Sequence, residues 1–130
     1  MTVLRSKLED LDESMIPNNS LDGALSRCAN CSLSDMQTSF KIINRLLKKG
    51  GRFYFWDHVL AEDNIPMMLV QYAMSLPVIS FFTDCCLTRQ PWKEMKKAGF
   101  TDVKVRQFKA PLEDWTAWPC IPTACGHAEK

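Results

Sequence analysis

The chain has 130 residues, of which 46% are apolar and 24% are charged. This length predicts one domain that buries about two thirds of the surface its unfolded chain exposes, and the composition is ordinary for a soluble globular protein. The formal net charge of +1 excludes the strongly basic field typical of nucleic-acid-binding proteins. We therefore expect no nucleic-acid partner.

The six cysteines come without a charged-then-apolar leader at the start of the chain, which predicts reduced thiols in an intracellular protein. Cys28 and Cys31 have metal-like spacing. However, a zinc site needs four ligands, and both His58 and His127 are distant from this pair in sequence. Buried thiols in the core are therefore favoured over a metal site, and we predict no metal. A redox or zinc module built on Cys28 and Cys31 is the disfavoured alternative.

The first elements are predicted from turn residues and apolar spacing. Residues 2–5 fit the tail of a strand, residues 9–13 an acidic loop, and residues 21–28 a short strand. Ser34 or Asp35 can cap the helix that follows. The apolar face of that helix has three- and four-residue spacing and consists of Met36, Phe40, Ile43 and Leu47.

The stretch from residue 46 to residue 58 is the most informative in the chain. The helix is expected to end at Gly50, whose lack of a side chain allows the positive φ of a helix terminus. An aromatic-rich strand is predicted at residues 53–59, and Asp57 and His58 lie at its carboxyl end. In open α/β sheets, ligands bind at that end of the strands.

Residues 64–83 carry no charged side chain and form an apolar insert. The insert has the length of a membrane span, but Pro66 and Pro77 interrupt it. We expect a helix at residues 66–76, broken at Pro77, that roofs a substrate pocket or lies against a membrane surface.

The rest of the chain predicts one more helix and two strands. Thr88 can cap this helix, with Pro91 in its first turn and Gly99 at its end. Its inner face is predicted to consist of Trp92, Met95 and Ala98. Alternating apolar residues predict a strand at 103–107, and a last strand is expected near 121–128.

Several motifs point to one family. They are Leu-Lys-Lys-Gly-Gly-Arg-Phe-Tyr-Phe at 47–55, Asp-His-Val at 57–59, Cys-Leu-Thr-Arg at 86–89 with Trp92, Ala-Gly-Phe at 98–100, Ala-Pro-Leu at 110–112 and Gly-His-Ala at 126–128. In this order they resemble the second half of a class I S-adenosylmethionine-dependent methyltransferase of the type-11 group, nearest the thiol methyltransferase branch. The resemblance implies an α/β fold with a partial Rossmann-like sheet. Residues 1–130 would then be the carboxyl-terminal part of the domain, with the first βα units missing and residues 64–83 as insert or lid.

The resemblance also implies the cofactor, S-adenosyl-L-methionine, and the residues near it. In that family the acidic loop after the third strand contacts the adenine, and Glu9 and Asp10 occupy that place here. The loop after the fourth strand passes beside the methionine portion, which corresponds to Ser26, Arg27 and Cys28. A solvated acidic loop is an equally good interpretation of residues 9 and 10.

Asp57 and His58 match the acidic-His pair that faces the transferred methyl group in that family. A thiol acceptor must lose its proton, and imidazole changes protonation near neutral pH. His58 is therefore the candidate general base, with Asp57 orienting it or the substrate. A strand-end histidine held by backbone groups is the structural alternative. The implied acceptor is an alkyl thiol or another small apolar molecule.

The sequence has five glycines, and none of them forms a Gly-x-Gly cluster before a helix. We therefore expect negligible cofactor affinity for the isolated chain, which leaves enzymatic activity open. The alternative is a non-catalytic fragment that contacts a membrane through residues 64–83 or self-associates through an exposed sheet edge. The expected location is cytoplasmic or, by family, the surface of the endoplasmic reticulum or of lipid droplets.

Overall fold

The computed structural model describes residues 5–76, 85–110 and 119–130, which form a four-stranded sheet with helices packed against it. The elements are β1 (Leu21–Arg27), α1 (Met36–Leu46), β2 (Leu47–His58), α2 (Ile65–Met74), α3 (Pro91–Lys97), β3 (Thr101–Lys109) and β4 (Pro122–Glu129). Short 3-10 helices at Leu8–Asp10 and Asn30–Ser32 precede and follow β1. The predicted α/β class is confirmed, whereas the strand tail predicted at residues 2–5 falls mostly outside the described residues.

The strands lie in the order β1-β2-β4-β3. β1 and β2 are parallel, and β4 is antiparallel to both of its neighbours. Helix α1 provides the crossover that a parallel pair needs. The carboxyl ends of β1 and β2 therefore meet at one edge of the sheet. In the described part of the chain β1 pairs only with β2, and its outer edge is where strand-addition contacts are predicted.

The core lies between α1, α3 and one face of the sheet. Along β2, Phe53 and Phe55 are buried while Tyr54 and Trp56 are exposed, as the two-residue period of a strand requires. The rings of Phe40 on α1 and Phe53 on β2 have centroids 5.8 Å apart. The predicted apolar face of α1 is thus its buried face.

Helix α1 begins as expected but ends differently. Of the two predicted caps, Asp35 is the one used, since its Oδ1 accepts a hydrogen bond from the Thr38 N–H at 3.0 Å. The prediction that Gly50 closes the helix is wrong, because α1 ends at Leu46 and Gly50, with φ 78°, lies inside β2. The last turn is capped from the far end of the chain: the Lys130 ammonium donates to the carbonyls of Arg45, at 3.3 Å, and Leu47, at 2.7 Å.

The later elements follow the predicted order with shifted ends. α3 begins at Pro91 with Gln90 as its N-cap residue, so the predicted Thr88 cap is wrong. Gly99, with φ 93°, follows the end of the helix as predicted. β2 and β3 are longer than predicted, because backbone pairing continues beyond the alternating pattern of side chains, and β4 is shifted by one residue.

Helix α2 occupies the first half of the apolar insert, and Asn64 caps it through a hydrogen bond from the Met67 N–H. Gln71 is its most buried residue. The exposed large apolar side chains recur at helical spacing and comprise Ile65, Leu69, Tyr72 and, just past the helix end, Leu76. This face is the one that the membrane-contact hypothesis would use. The break predicted at Pro77 lies outside the described residues.

Across residues 5–76, 85–110 and 119–130, no helix has both the length and the apolar character that a membrane crossing requires.

Candidate functional site

Three chemically reactive side chains meet at the sheet edge where β1 and β2 end. His58 is the last residue of β2, Cys31 lies in the 3-10 helix after β1, and Cys85 belongs to the segment that leads to α3. One ligand atom from each residue lies within 4.8 Å of the other two. We call this group the Cys31–His58–Cys85 cluster. His58 Nδ1 and Cys85 Sγ are 3.7 Å apart.

Sequence reasoning missed this cluster because it treated His58 as remote from the cysteines. The parallel pairing of β1 and β2 brings residues 31 and 58 to the same edge, and a backbone hydrogen bond of 3.0 Å from the Cys86 N–H to the Cys31 carbonyl brings in residue 85. Of the Cys28–Cys31 pair, Cys31 belongs to this cluster and is buried, whereas Cys28 is exposed.

The two cluster thiols have opposite protonation preferences. A hydrogen bond from the Cys85 thiol lowers the pKa of Cys31 far below its ordinary value, and His58 contributes in the same direction. The Cys31 thiolate in turn, together with burial, raises the pKa of Cys85. Loss of a proton from this pair of thiols is therefore favoured at Cys31 over Cys85.

Asp57 anchors the loop that carries Cys31. Its Oδ1 accepts the Asn30 backbone N–H at 3.0 Å, and its Oδ2 accepts the Asn30 side-chain amide at 2.6 Å. Burial raises the pKa of Asp57 to about 6 in spite of these hydrogen bonds. Because both carboxylate oxygens bond to Asn30, the described contacts of Asp57 position the loop and not the imidazole of His58.

Arg89 fixes the same loop from the other side. Its guanidinium donates to the carbonyl oxygens of Asn30, at 3.0 Å, and Leu33, at 2.5 Å. The loop after β1 is therefore held by the end of β2 and by the segment before α3, and the sequence motif Cys-Leu-Thr-Arg at 86–89 acquires a structural role.

Ser26, Arg27 and Cys28 lie at the carboxyl end of β1, and they are the residues predicted to lie beside the methionine portion of the cofactor. Ser26 Oγ donates to Asn30 Oδ1 at 3.2 Å, so it joins the Asn30–Asp57 network. The Arg27 guanidinium lies over the Trp56 ring, 5.6 Å from its centroid. Cys28 is exposed and has φ 50°, and its backbone N–H donates to the Trp56 carbonyl at 2.7 Å.

The residues predicted to contact adenine lie elsewhere in the described structure, against α1. Glu9 accepts hydrogen bonds from the hydroxyls of Ser39, at 3.2 Å, and Ser34, at 3.4 Å. Asp10 is exposed in the same 3-10 helix. The cofactor assignments of Glu9 and Asp10 and of the residues at the end of β1 both remain predictions.

An apolar cleft of about 360 Å³ lies next to this edge, beyond the end of β2. Its walls include Val59, Met67 of α2, Phe108 of β3 and Ile121. A larger, more polar cleft of about 780 Å³ runs along the start of α1 and includes Tyr72 and Arg89. Among the described residues His58 lines neither cleft, whereas Val59, the next residue in the chain, lines the apolar one.

Known proteins are similar to this chain in sequence and in fold. The methyltransferase-domain family of type 11 matches residues 2–55. Human thiol S-methyltransferase TMT1A is 29% identical over 116 residues, covering 88% of this chain and 46% of that protein. The rat thiol S-methyltransferase TMT1B is 28% identical over 115 residues, covering 88% and 46%. The chain therefore spans about half the length of the curated relatives it matches.

Two solved structures show the fold. A methyltransferase from Thermotoga maritima, described as a possible histamine N-methyltransferase, superposes with a TM-score of 0.67 at 19% identity, covering 99% of this chain and 64% of its own. A phosphoethanolamine methyltransferase of Haemonchus contortus, solved with S-adenosyl-L-methionine, gives 0.66 at 14% identity, covering 95% and 36%. S-adenosyl-L-methionine is the cofactor of this family. These matches confirm the resemblance: the chain has the methyltransferase fold, its residues 2–55 match the type-11 methyltransferase domain, and its sequence is similar to thiol S-methyltransferases.

Proposed function

We propose that this chain forms the acceptor side of a methyltransferase that methylates a small apolar thiol. The observation that carries the proposal is the position of His58, whose imidazole ends β2 with a cysteine sulfur 3.7 Å from Nδ1. The relatives named thiol S-methyltransferase support the acceptor class. The fold supports methyl transfer from S-adenosylmethionine as the reaction class.

Methylation of a thiol requires a deprotonated acceptor, a methyl donor and alignment of the two. The acceptor must lose its thiol proton, because the thiolate is the nucleophile. We assign proton removal to the imidazole of His58. The bound cofactor supplies the methyl group, and the transfer depends mainly on holding donor and acceptor in line. Asp57 contributes by fixing the loop after β1 through Asn30 and is a positioning residue.

The apolar cleft beyond β2 fits the acceptor. Its volume of about 360 Å³ is at the lower end of the range for small-molecule sites. Val59 and Ile121 give it an apolar wall, and Asp63 and Lys109 lie among its lining residues. An acceptor with a short alkyl chain could place that chain in the cleft and direct its sulfur toward His58.

Acceptor binding can be measured without cofactor, by titrating isotope-labelled chain with 1-hexanethiol and following backbone amide shifts by NMR. We expect shifts confined to residues around His58 and the apolar cleft, with 1-hexanol, which lacks the ionisable thiol, producing smaller ones. His58→Ala should weaken thiol binding by about 10-fold, the loss of one charge-assisted hydrogen bond.

The matched control is His127→Ala, since His127 lies in β4 against the ring of Tyr54 and away from the cluster. It should leave the titration unchanged. Equal shifts with thiol and alcohol, spread over the molecule and insensitive to His58, would argue against an acceptor site at this edge.

A further inference from the structure

We propose that Cys31, His58 and Cys85 form a binding site for Zn²⁺, with two cysteine sulfurs and one imidazole nitrogen as protein ligands. The three residues come from three separate segments of the chain and converge at one edge of the sheet. Two sulfurs and one imidazole nitrogen form a donor set that suits zinc, and three protein ligands leave one tetrahedral position open.

The distances in the cluster are close to those that a zinc ion imposes. Zn–S bonds of about 2.3 Å and Zn–N bonds of about 2.0 Å place tetrahedral ligand atoms about 3.5 to 3.8 Å apart. His58 Nδ1 and Cys85 Sγ are already 3.7 Å apart, and all three ligand atoms lie within 4.8 Å of one another. The Cys85–His58 pair thus already has the separation of two ligands of one zinc ion.

The backbone around the cluster is held by contacts that do not use the ligand atoms. The Asn30 backbone and side chain bond to Asp57, the Arg89 guanidinium bonds to two carbonyls of the loop, and the Cys86 N–H bonds to the Cys31 carbonyl. Such outer contacts orient metal ligands and raise metal affinity. They also leave both cluster sulfurs and His58 Nδ1 available to an ion.

The charges nearby also favour a divalent cation. Asp57 is fully buried one residue before His58, and its carboxylate adds negative charge at the end of β2. The guanidinium of Arg89, the nearest cation in the network, is committed to carbonyl oxygens. A buried anion next to thiolate ligands stabilises a bound cation by direct Coulomb attraction.

The sulfur of the acceptor thiol can occupy the open fourth position on zinc, an inference that rests on the proposed function. A zinc-bound thiol is deprotonated by the metal. In the metal-bound form the acceptor would bind zinc as its thiolate and its proton would pass to water, so His58 would act as a metal ligand in place of the general base assigned above. Zinc binding itself needs no cofactor and no acceptor, so it can be tested independently of methyl transfer.

The test is a titration of the 130-residue chain with Co²⁺ and then Zn²⁺, in a non-thiol phosphine reductant. We expect one Co²⁺ per chain, with near-ultraviolet thiolate-to-cobalt absorption and visible bands of tetrahedral Co²⁺, both lost when Zn²⁺ displaces it. Cys31→Ser, Cys85→Ser and His58→Ala should each weaken Zn²⁺ binding by at least about 100-fold, because losing an outer-shell partner alone costs about 10- to 100-fold.

Cys86→Ser is the matched control, since Cys86 is adjacent to a ligand but contacts the Thr88 hydroxyl instead. It should bind metal like the unmodified chain. Far-ultraviolet circular dichroism separates loss of a ligand from loss of the fold. A folded chain that binds no Co²⁺ or Zn²⁺, or that binds them equally well without Cys31 and Cys85, overturns the proposal, whatever the outcome of thiol titrations.

Discussion

Replacing Gly126 with alanine is expected to lower the free energy of unfolding by about 3 kcal/mol. Gly126 lies in β4, where a Cβ atom would collide with the Lys104 carbonyl oxygen of β3 and come within 3.1 Å of the Phe55 ring. Backbone atoms of a paired strand cannot move aside cheaply, so the β3–β4 pairing would have to shift. Urea denaturation followed by tryptophan fluorescence measures the loss.

Gly23→Ala provides the control for this substitution. Gly23 lies in β1, and its Cβ would meet the Arg52 carbonyl oxygen at 3.4 Å, an ordinary van der Waals distance. We expect this variant to stay within about 1 kcal/mol of the unmodified chain. If Gly126→Ala destabilises the chain no more than Gly23→Ala, the close approach of β3 to β4 is refuted.

Replacing Gln71 with leucine is expected to cost about 2 to 4 kcal/mol of stability, because the side chain is buried and fully hydrogen-bonded. Its amide nitrogen donates to the carbonyls of Val59 and Pro119, each at 3.0 Å, and its oxygen accepts the Ala61 N–H at 2.9 Å. Leucine keeps the volume but leaves these three backbone groups unpaired. The contacts join α2 to the residues just after β2 and to the segment that precedes β4, so α2 should also become more accessible to proteases.

The matched variant is Gln37→Leu, since Gln37 is an exposed glutamine in the first turn of α1. It should change the unfolding free energy by no more than about 0.5 kcal/mol. Comparable losses for Gln37→Leu and Gln71→Leu would mean that the buried hydrogen bonds of Gln71 do not hold α2.

The sequence predicted the order of the elements because local rules determine most of it. The apolar spacing of Met36, Phe40 and Ile43 identified the buried face of α1, and the aromatic alternation of residues 53–56 identified β2. The end of α1 was predicted wrongly for a physical reason. Its carbonyls are capped by Lys130, which is 83 residues away from Leu47 in the chain, so no local signal announces it.

Part of the candidate site could also be predicted from the sequence, and part could not. The position of His58 at a strand end follows from sequence, and the structure places it where the parallel strands end. The contact with Cys31 and Cys85 depends on strand pairing and on the Cys86–Cys31 backbone hydrogen bond, which spacing along the chain does not reveal. Likewise, the Asp57–Asn30 bonds join residues 27 positions apart, so the sequence could not reveal that Asp57 anchors the loop after β1.

Two sets of hydrogen bonds hold the backbone on either side of His58. Asp57, the residue before it, bonds to the loop after β1, and Val59, the residue after it, accepts a hydrogen bond from Gln71 of α2. Rigid placement of this kind is what methyl transfer requires, since catalysis depends on donor and acceptor being held in line. Stability variants at Gln71 should therefore also affect acceptor binding.

The most direct measurement is thiol methylation by a chimera in which this chain replaces the matching segment of human thiol S-methyltransferase TMT1A. The chimera is assayed with S-adenosylmethionine and 1-hexanethiol, after calorimetry has shown that it binds the cofactor. We predict formation of the methyl thioether, with at least about a 100-fold loss in His58→Ala, as is typical for a positioned acid-base group, and little change in His127→Ala. A folded, cofactor-binding chimera that makes no thioether, or whose activity is indifferent to His58, would contradict the assignment of this edge as the acceptor side.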